Sequence, residues 1–106
     1  MTTMSEATYF ILAALLDGPL HGYGIIQRAA EQSRQRVKIP VATLYRAVDR
    51  LQEAGLVVPD REEIVDGRAR RYYRITDQGT EALAEEARRL SAAADLVIRR
   101  PGMGFA

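Results

Sequence analysis

Arg46 and Arg50 stand four residues apart in "VATLYRAVDRLQEAGLV", residues 41–57, and Arg68 and Arg70 follow the Asp66-Gly67 pair in "DGRARRYYRI". A guanidinium is a rigid fork of donors that fits phosphate oxygens and the O6/N7 edge of guanine, so arginines presented in this way suit nucleic-acid recognition. Thr43 and Tyr45, close to the start of the same segment, add hydroxyls that can reach a phosphate, and Lys38 adds a cation just ahead of them. Other chemistries are poorly served. The chain has no cysteine, which removes disulfides, thiolate ligands and a thiol nucleophile together. His21 is the sole histidine and cannot build a zinc site alone. It lies near Asp17, but no serine has a nucleophile context and no phosphate loop is present, so neither an enzyme nor a metal or cofactor is expected.

The charge distribution agrees with a polyanion partner. Net charge is only +1 over 106 residues, yet Arg28 to Arg50 carries six basic residues against two acidic ones, and Arg68 to Arg74 has four arginines and no acid. Asp77 to Ile98 is the reverse, with five acids against Arg88 and Arg89. A basic centre beside an acidic final segment suggests one face for a polyanion and a separate helix with another task.

The elements that must hold these residues can be read from periodicity. Thr3 or Ser5 can cap a first helix, Thr3 and Glu6 having capping-box spacing, and "YFILAALL" runs to the stop at Asp17-Gly18-Pro19. Residues 9–16 are apolar all round, so this helix needs cover on more than one side, part of it from another subunit. A second helix is expected over Gly22–Ser33 with Ile25, Ile26, Ala29 and Ala30 inward, then a polar connector "RQRVKIP", with Pro40 marking the start of a third helix. There Leu44, Ala47, Val48 and Leu51 form the buried stripe, Gly55 ends the helix, and Ala42, Arg46, Asp49 and Glu53 lie opposite. Thr43 and Arg50 fall on one flank and Tyr45 on the other; Arg50 could also pair with Glu53 or Glu31, and Asp49 is expected to orient Arg46, the alternative being that it accepts from a cytosine amino group.

"EEIV" and "RRYYRI" are β-prone runs around the Asp66-Gly67 turn signal and predict a hairpin with an arginine-rich tip. Tyr73 shares a strand face with Ile75 and is expected in the core, leaving Tyr72 on the other side. Thr76 caps a last helix reaching about Arg100, with Arg99 and Arg100 in its final turn. Leu83, Ala87, Leu90, Ala94 and Val97 repeat at 4, 3, 4, 3 spacing, a coiled-coil seam for a second copy. "PGMGFA" reads as a disordered tail. The organisation expected is 1–75 as a winged helix-turn-helix, 76–100 as a dimerisation helix and 101–106 as tail. The fold class is mainly α, with a small β component (α+β).

Three motifs in this order resemble the PadR-type transcriptional regulators: "LHGYGI" at 20–25, "TLYRAVDRLQEAGLV" at 43–57 and "DGRARRYYRITDQG" at 66–79. The single long helix at the end is similar to the shorter branch of that family. The resemblance implies a ligand-responsive homodimeric repressor whose third helix enters the major groove of a palindromic double-stranded operator while the hairpin follows the backbone. It places Tyr23 near the DNA, as a further phosphate contact. His21 is expected to cap or pack rather than to sense pH. The chain departs from relatives in having Pro40 and Ala42 where a serine and a glycine often precede "TLY", and in lacking any tryptophan on which an aromatic effector could stack. The effector is therefore left unidentified.

The alternative is a winged helix that binds protein; it would show apolar residues on the outer side of the third helix, where this chain has Arg46, Asp49, Arg50 and Glu53. A winged helix of the MarR type would need a longer N-terminal dimerisation helix. With no apolar run near the roughly 20 residues of a membrane span and no basic n-region at the start, a soluble cytoplasmic protein without membrane partners is expected.

Overall fold

The computed structural model describes residues 4–101. The elements are α1 (Glu6–Ala14), β1 (Leu20–His21), α2 (Gly22–Gln32), α3 (Val41–Glu53), β2 (Val57–Val65), β3 (Arg68–Ile75) and α4 (Asp77–Ile98). Ser5 caps α1, its hydroxyl accepting from the Thr8 N–H, whereas Thr3 and residues 102–106 of the tail lie outside the described residues. α1 stops at Ala14, short of the Asp17 expected, and Leu15 and Leu16 continue as a turn.

Ile11, Leu12 and Leu15 meet Ile25 of α2, Leu44 and Val48 of α3 and Val57 of β2 in one core, all fully buried. The stripe expected on α3 is the one buried, Leu44, Ala47, Val48 and Leu51. On α2, Ile25 and Ala29 are buried while Ile26 and Ala30 are half-buried. The connector after α2 is less polar than its composition suggests. Val37 and Ile39 alternate inward into the core, Ser33 holds the bend by accepting from the Val37 N–H at 2.9 Å, and Arg34 and Gln35 take the left-handed conformation.

The sheet is antiparallel in the order β1-β3-β2. Asp66 and Gly67 both have positive φ, as a two-residue I′ hairpin requires. Two features go beyond the sequence reading. β1 pairs Leu20 with Tyr73 and His21 with Tyr72, tying the start of α2 to the hairpin. β2 begins at Val57 rather than Glu62, with an irregularity between Pro59 and Glu62. Pro59 is accommodated because β2 is an edge strand. Tyr73 is in the core and Tyr72 is half-buried.

α4 starts where Thr76 both caps it, accepting from the Gly79 N–H, and donates to the Gly55 carbonyl at 2.7 Å. A methyl group on Gly79 would collide with the Leu56 carbonyl oxygen, so only glycine lets the first turn lie this close to the end of α3. Leu83 reaches the core, and every residue from Arg88 to Arg100 is exposed. The helix ends at Ile98, with Arg99 at its C-cap rather than in its last turn. The chain is elongated, 60 × 27 × 22 Å, with the far half of α4 uncovered.

Candidate nucleic-acid interface

Burying the leucine stripe of α3 fixes what its other sides present. Arg46, Asp49 and Glu53 project outward, with Ala42 and Val41 also exposed and Thr43 half-buried. Pro40 occupies the N-cap with no side-chain hydrogen bond, so the first N–H groups of α3 have no side-chain acceptor and favour an anion there. Lys38 sits between buried Val37 and Ile39, which hold it outward immediately before that helix start.

On one flank of α3, Tyr45 packs over Gly22 at the beginning of α2. A β-carbon there would lie 2.5 Å from the Tyr45 hydroxyl oxygen, so the glycine makes room for the tyrosine. Tyr23, Tyr45, Arg68 and Arg70 then line one polar cleft of about 590 Å³ between α2, α3 and the hairpin. Tyr23 and Arg68 are exposed, Arg70 half-buried. The hairpin base is braced by Arg61, which lies 3.9 Å from the Tyr72 ring centroid and donates to Glu63 at 3.0 Å, and by the Arg71–Glu62 and Arg74–Asp60 pairs. Its tip arginines are left unbraced. His21 also lines the cleft, a position its sequence context did not signal.

The other flank differs. Arg50 borders a groove of about 790 Å³ with Met4, Leu51, Leu56, Glu85 and Arg89, between α1, α3 and α4. It is thus not brought to the hairpin cleft. Leu83 of the expected seam is spent in the chain's own core, Ala87 is half-buried, and Leu90, Ala94 and Val97 are exposed. Leu96 and Ile98, off that seam, are exposed as well; the run "AAADLVI", apolar but for Asp95, was the available signal.

Among the described residues, Lys38, Arg46, Arg50, Arg68 and Arg70 have no carboxylate within ion-pair distance, so neither Glu31 nor Glu53 holds Arg50. Asp49 makes no hydrogen bond or ion pair to Arg46. Its charge falls instead near Tyr73, whose phenol is raised above its usual pKa first by burial, with Tyr45 and Asp49 adding to the shift. The described residues hold no cluster of His, Asp or Glu suited to a metal and no helix long and apolar enough to cross a membrane.

Residues 11–85 match the sequence profile of the transcriptional regulator PadR-like family. A protein of Mycobacterium tuberculosis described as a transcriptional regulator is 40% identical over 88 residues, covering 83% of this chain and 78% of its own. A PadR family regulator of Eggerthella lenta superposes with a TM-score of 0.71 at 28% identity, over 85% of this chain and 76% of that one. Bacillus subtilis PadR in complex with operator DNA superposes with a TM-score of 0.65 at 26% identity, over 74% of this chain and 44% of that one. With outer α3, the hairpin and the preceding helix pair arranged as a winged helix-turn-helix, the chain belongs to the PadR-like family of transcriptional regulators.

Proposed function

We propose that the chain is a homodimeric, cytoplasmic repressor that binds a palindromic operator, with residues 1–75 reading DNA and residues 76–100 joining the two copies. The observation that carries the reading is the set of cations without acidic partners, Lys38, Arg46, Arg68 and Arg70, around the outer side of α3 and the hairpin. Arg46 on outer α3 forks onto a guanine in the major groove. Lys38, Thr43, Tyr23, Tyr45, Arg68 and Arg70 take phosphates, which fix register without choosing sequence. Asp49 lies among them and accepts from a cytosine amino group, the hydrogen bond open to a carboxylate in the major groove. Arg50, on the other flank, contributes charge from the edge.

Dimerisation is supported by apolar surface that one chain leaves uncovered. Ala87, Leu90, Ala94 and Val97 continue outward along α4 from Leu83, and Tyr9 and Phe10 of α1 stay only partly covered beside Leu90 in a recess of about 360 Å³. A second copy's α4 end, apolar on nearly every side, has the chemistry to fill it. Ligand response rests on the α1–α3–α4 groove, whose size suits a small molecule and whose walls touch both the reading helix and the joining helix. Selection of bound sequences from random duplex DNA tests the reading. The expected product is an inverted repeat with half-sites about one helical turn, roughly 34 Å, apart. Recovery of unenriched sequence would overturn operator reading.

A further inference from the structure

His21 ends β1, stands at the N-cap of α2 without making a capping bond, and lines the hairpin cleft. Its ring lies against Gly24 and tilts 57° to the Tyr72 ring at 5.4 Å between centroids. Nδ1 is sealed from solvent with no hydrogen-bond partner, which leaves Nε2 as the nitrogen able to meet anything in the cleft. The groups around it are Arg70 and Tyr72 of β3, Glu63 of β2, Tyr23 of α2 and Tyr45 of α3, with Asp66 and Arg68 nearer the hairpin tip and Arg71, paired with Glu62, also lining the cleft. Glu63, the carboxylate that acts on the ring, is already engaged by Arg61 at 3.0 Å and by the Tyr72 hydroxyl at 3.4 Å. The imidazole therefore has cationic neighbours, and the carboxylate that acts on it is already engaged, while Asp66 stands nearer the hairpin tip.

We propose that His21 is a proton-linked phosphate ligand: a DNA backbone phosphate entering this cleft beside Arg68 and Arg70 is met by His21 as an imidazolium, so each cleft takes up one proton from solvent as DNA binds. The inference rests on the DNA reading above. No covalent bond changes; the phosphodiester stays an anion, and its negative charge supplies the counter-ion that Glu63 does not. In the free protein, burial and then Arg70 hold the imidazole below its usual pKa, with Glu63 opposing them. A phosphate reverses that balance.

The linkage has opposite signs in the two states. Because the free fold favours the neutral ring, the contribution of His21 to stability is present above the unfolded pKa of about 6.5 and is lost as pH falls. DNA affinity instead rises as pH falls between the free and bound pKa values, by up to about tenfold per pH unit for each cleft. A residue that only packs would show the first effect without the second.

His21 is the chain's only histidine, so a single imidazole is followed by NMR as pH is varied, first in the free protein and then with a short mixed-sequence duplex at low salt. The expected midpoint is below about 6.5 when free and higher with the duplex bound. Calorimetry in buffers of differing protonation enthalpy should show proton uptake on binding, absent in His21→Gln. If that variant does not fold, the wild-type titration still decides. A duplex that binds with the midpoint unmoved overturns the phosphate role and leaves the DNA reading intact, whereas failure of the duplex to bind overturns both.

Discussion

The two flanks of α3 border clefts of opposite chemistry. Toward α2 and the hairpin, Arg68 and Arg70 stand among tyrosines with no acid paired to them; toward α1 and α4, Arg88 is matched with Glu81 and Arg89 with Glu86, and of the arginines lining that groove only Arg50 is unpaired. The Arg89–Glu86 pair is two-pronged, at 2.9 and 2.7 Å, and those hydrogen bonds hold the Glu86 carboxyl below its usual pKa. Unpaired like charges repel one another, so their clustering weakens the free protein slightly and is relieved only by an anion from outside. Matched charges beside an apolar groove leave little field and much apolar surface. One flank is prepared for a polyanion and the other for apolar cover.

Substitutions can break this contrast from either side. The largest effect is expected from Leu90→Asp, which puts a carboxylate into the face of α4 proposed to join two copies. Burial of an unpaired polar group costs at least about 2 kcal/mol per copy, so dimer association should weaken about a thousandfold. Sedimentation measures it, and an unchanged dimer would move the interface away from α4. Next, Arg68→Ala with Arg70→Ala should weaken binding to specific and random duplexes alike and flatten the salt dependence, each lost phosphate contact taking about 0.9 from the log-log slope. A slope identical to wild type would remove the hairpin from the backbone. The smallest effect is expected from Arg99→Ala, where an exposed arginine already paired with Asp95 is lost. Melting temperature and salt slope should both stay within error, since such pairs contribute little; a slope that falls as far as in the hairpin variant would erase the distinction between paired and unpaired cations.

Much of the frame was legible because helical periodicity is strong where a helix has one buried side. The α3 stripe, the Thr76 cap and the Asp66-Gly67 turn all followed from residue spacing and turn chemistry. What escaped was set by tertiary pairing. β1 is two residues long, too short to show alternation, and β2 runs through "PDREE", whose charges resemble a loop until β3 supplies a partner on one side. Val37 and Ile39 looked like a polar connector because the arginines and lysine around them dominate its composition. At the site, sequence gave the outward direction of Arg46 from the stripe opposite it. It placed Arg50 and Tyr45 on opposite flanks but could not tell which clefts those flanks border, or that Leu83 belongs to the chain's own core, because both depend on where α1, α4 and the hairpin pack.

The central claim is that outer α3 reads bases while the hairpin only holds backbone, and Arg46→Ala tests it most directly. Arg46 is exposed and opposite the buried stripe, so its truncation leaves the core intact and the fold should survive. Sequence selection with this variant should return a consensus relaxed at one base position in each half-site, with a loss of about 1–3 kcal/mol on the wild-type site. Arg46→Lys should restore charge without the planar fork and leave that position relaxed. An unaltered consensus bound uniformly more weakly would contradict the account, making Arg46 a phosphate contact.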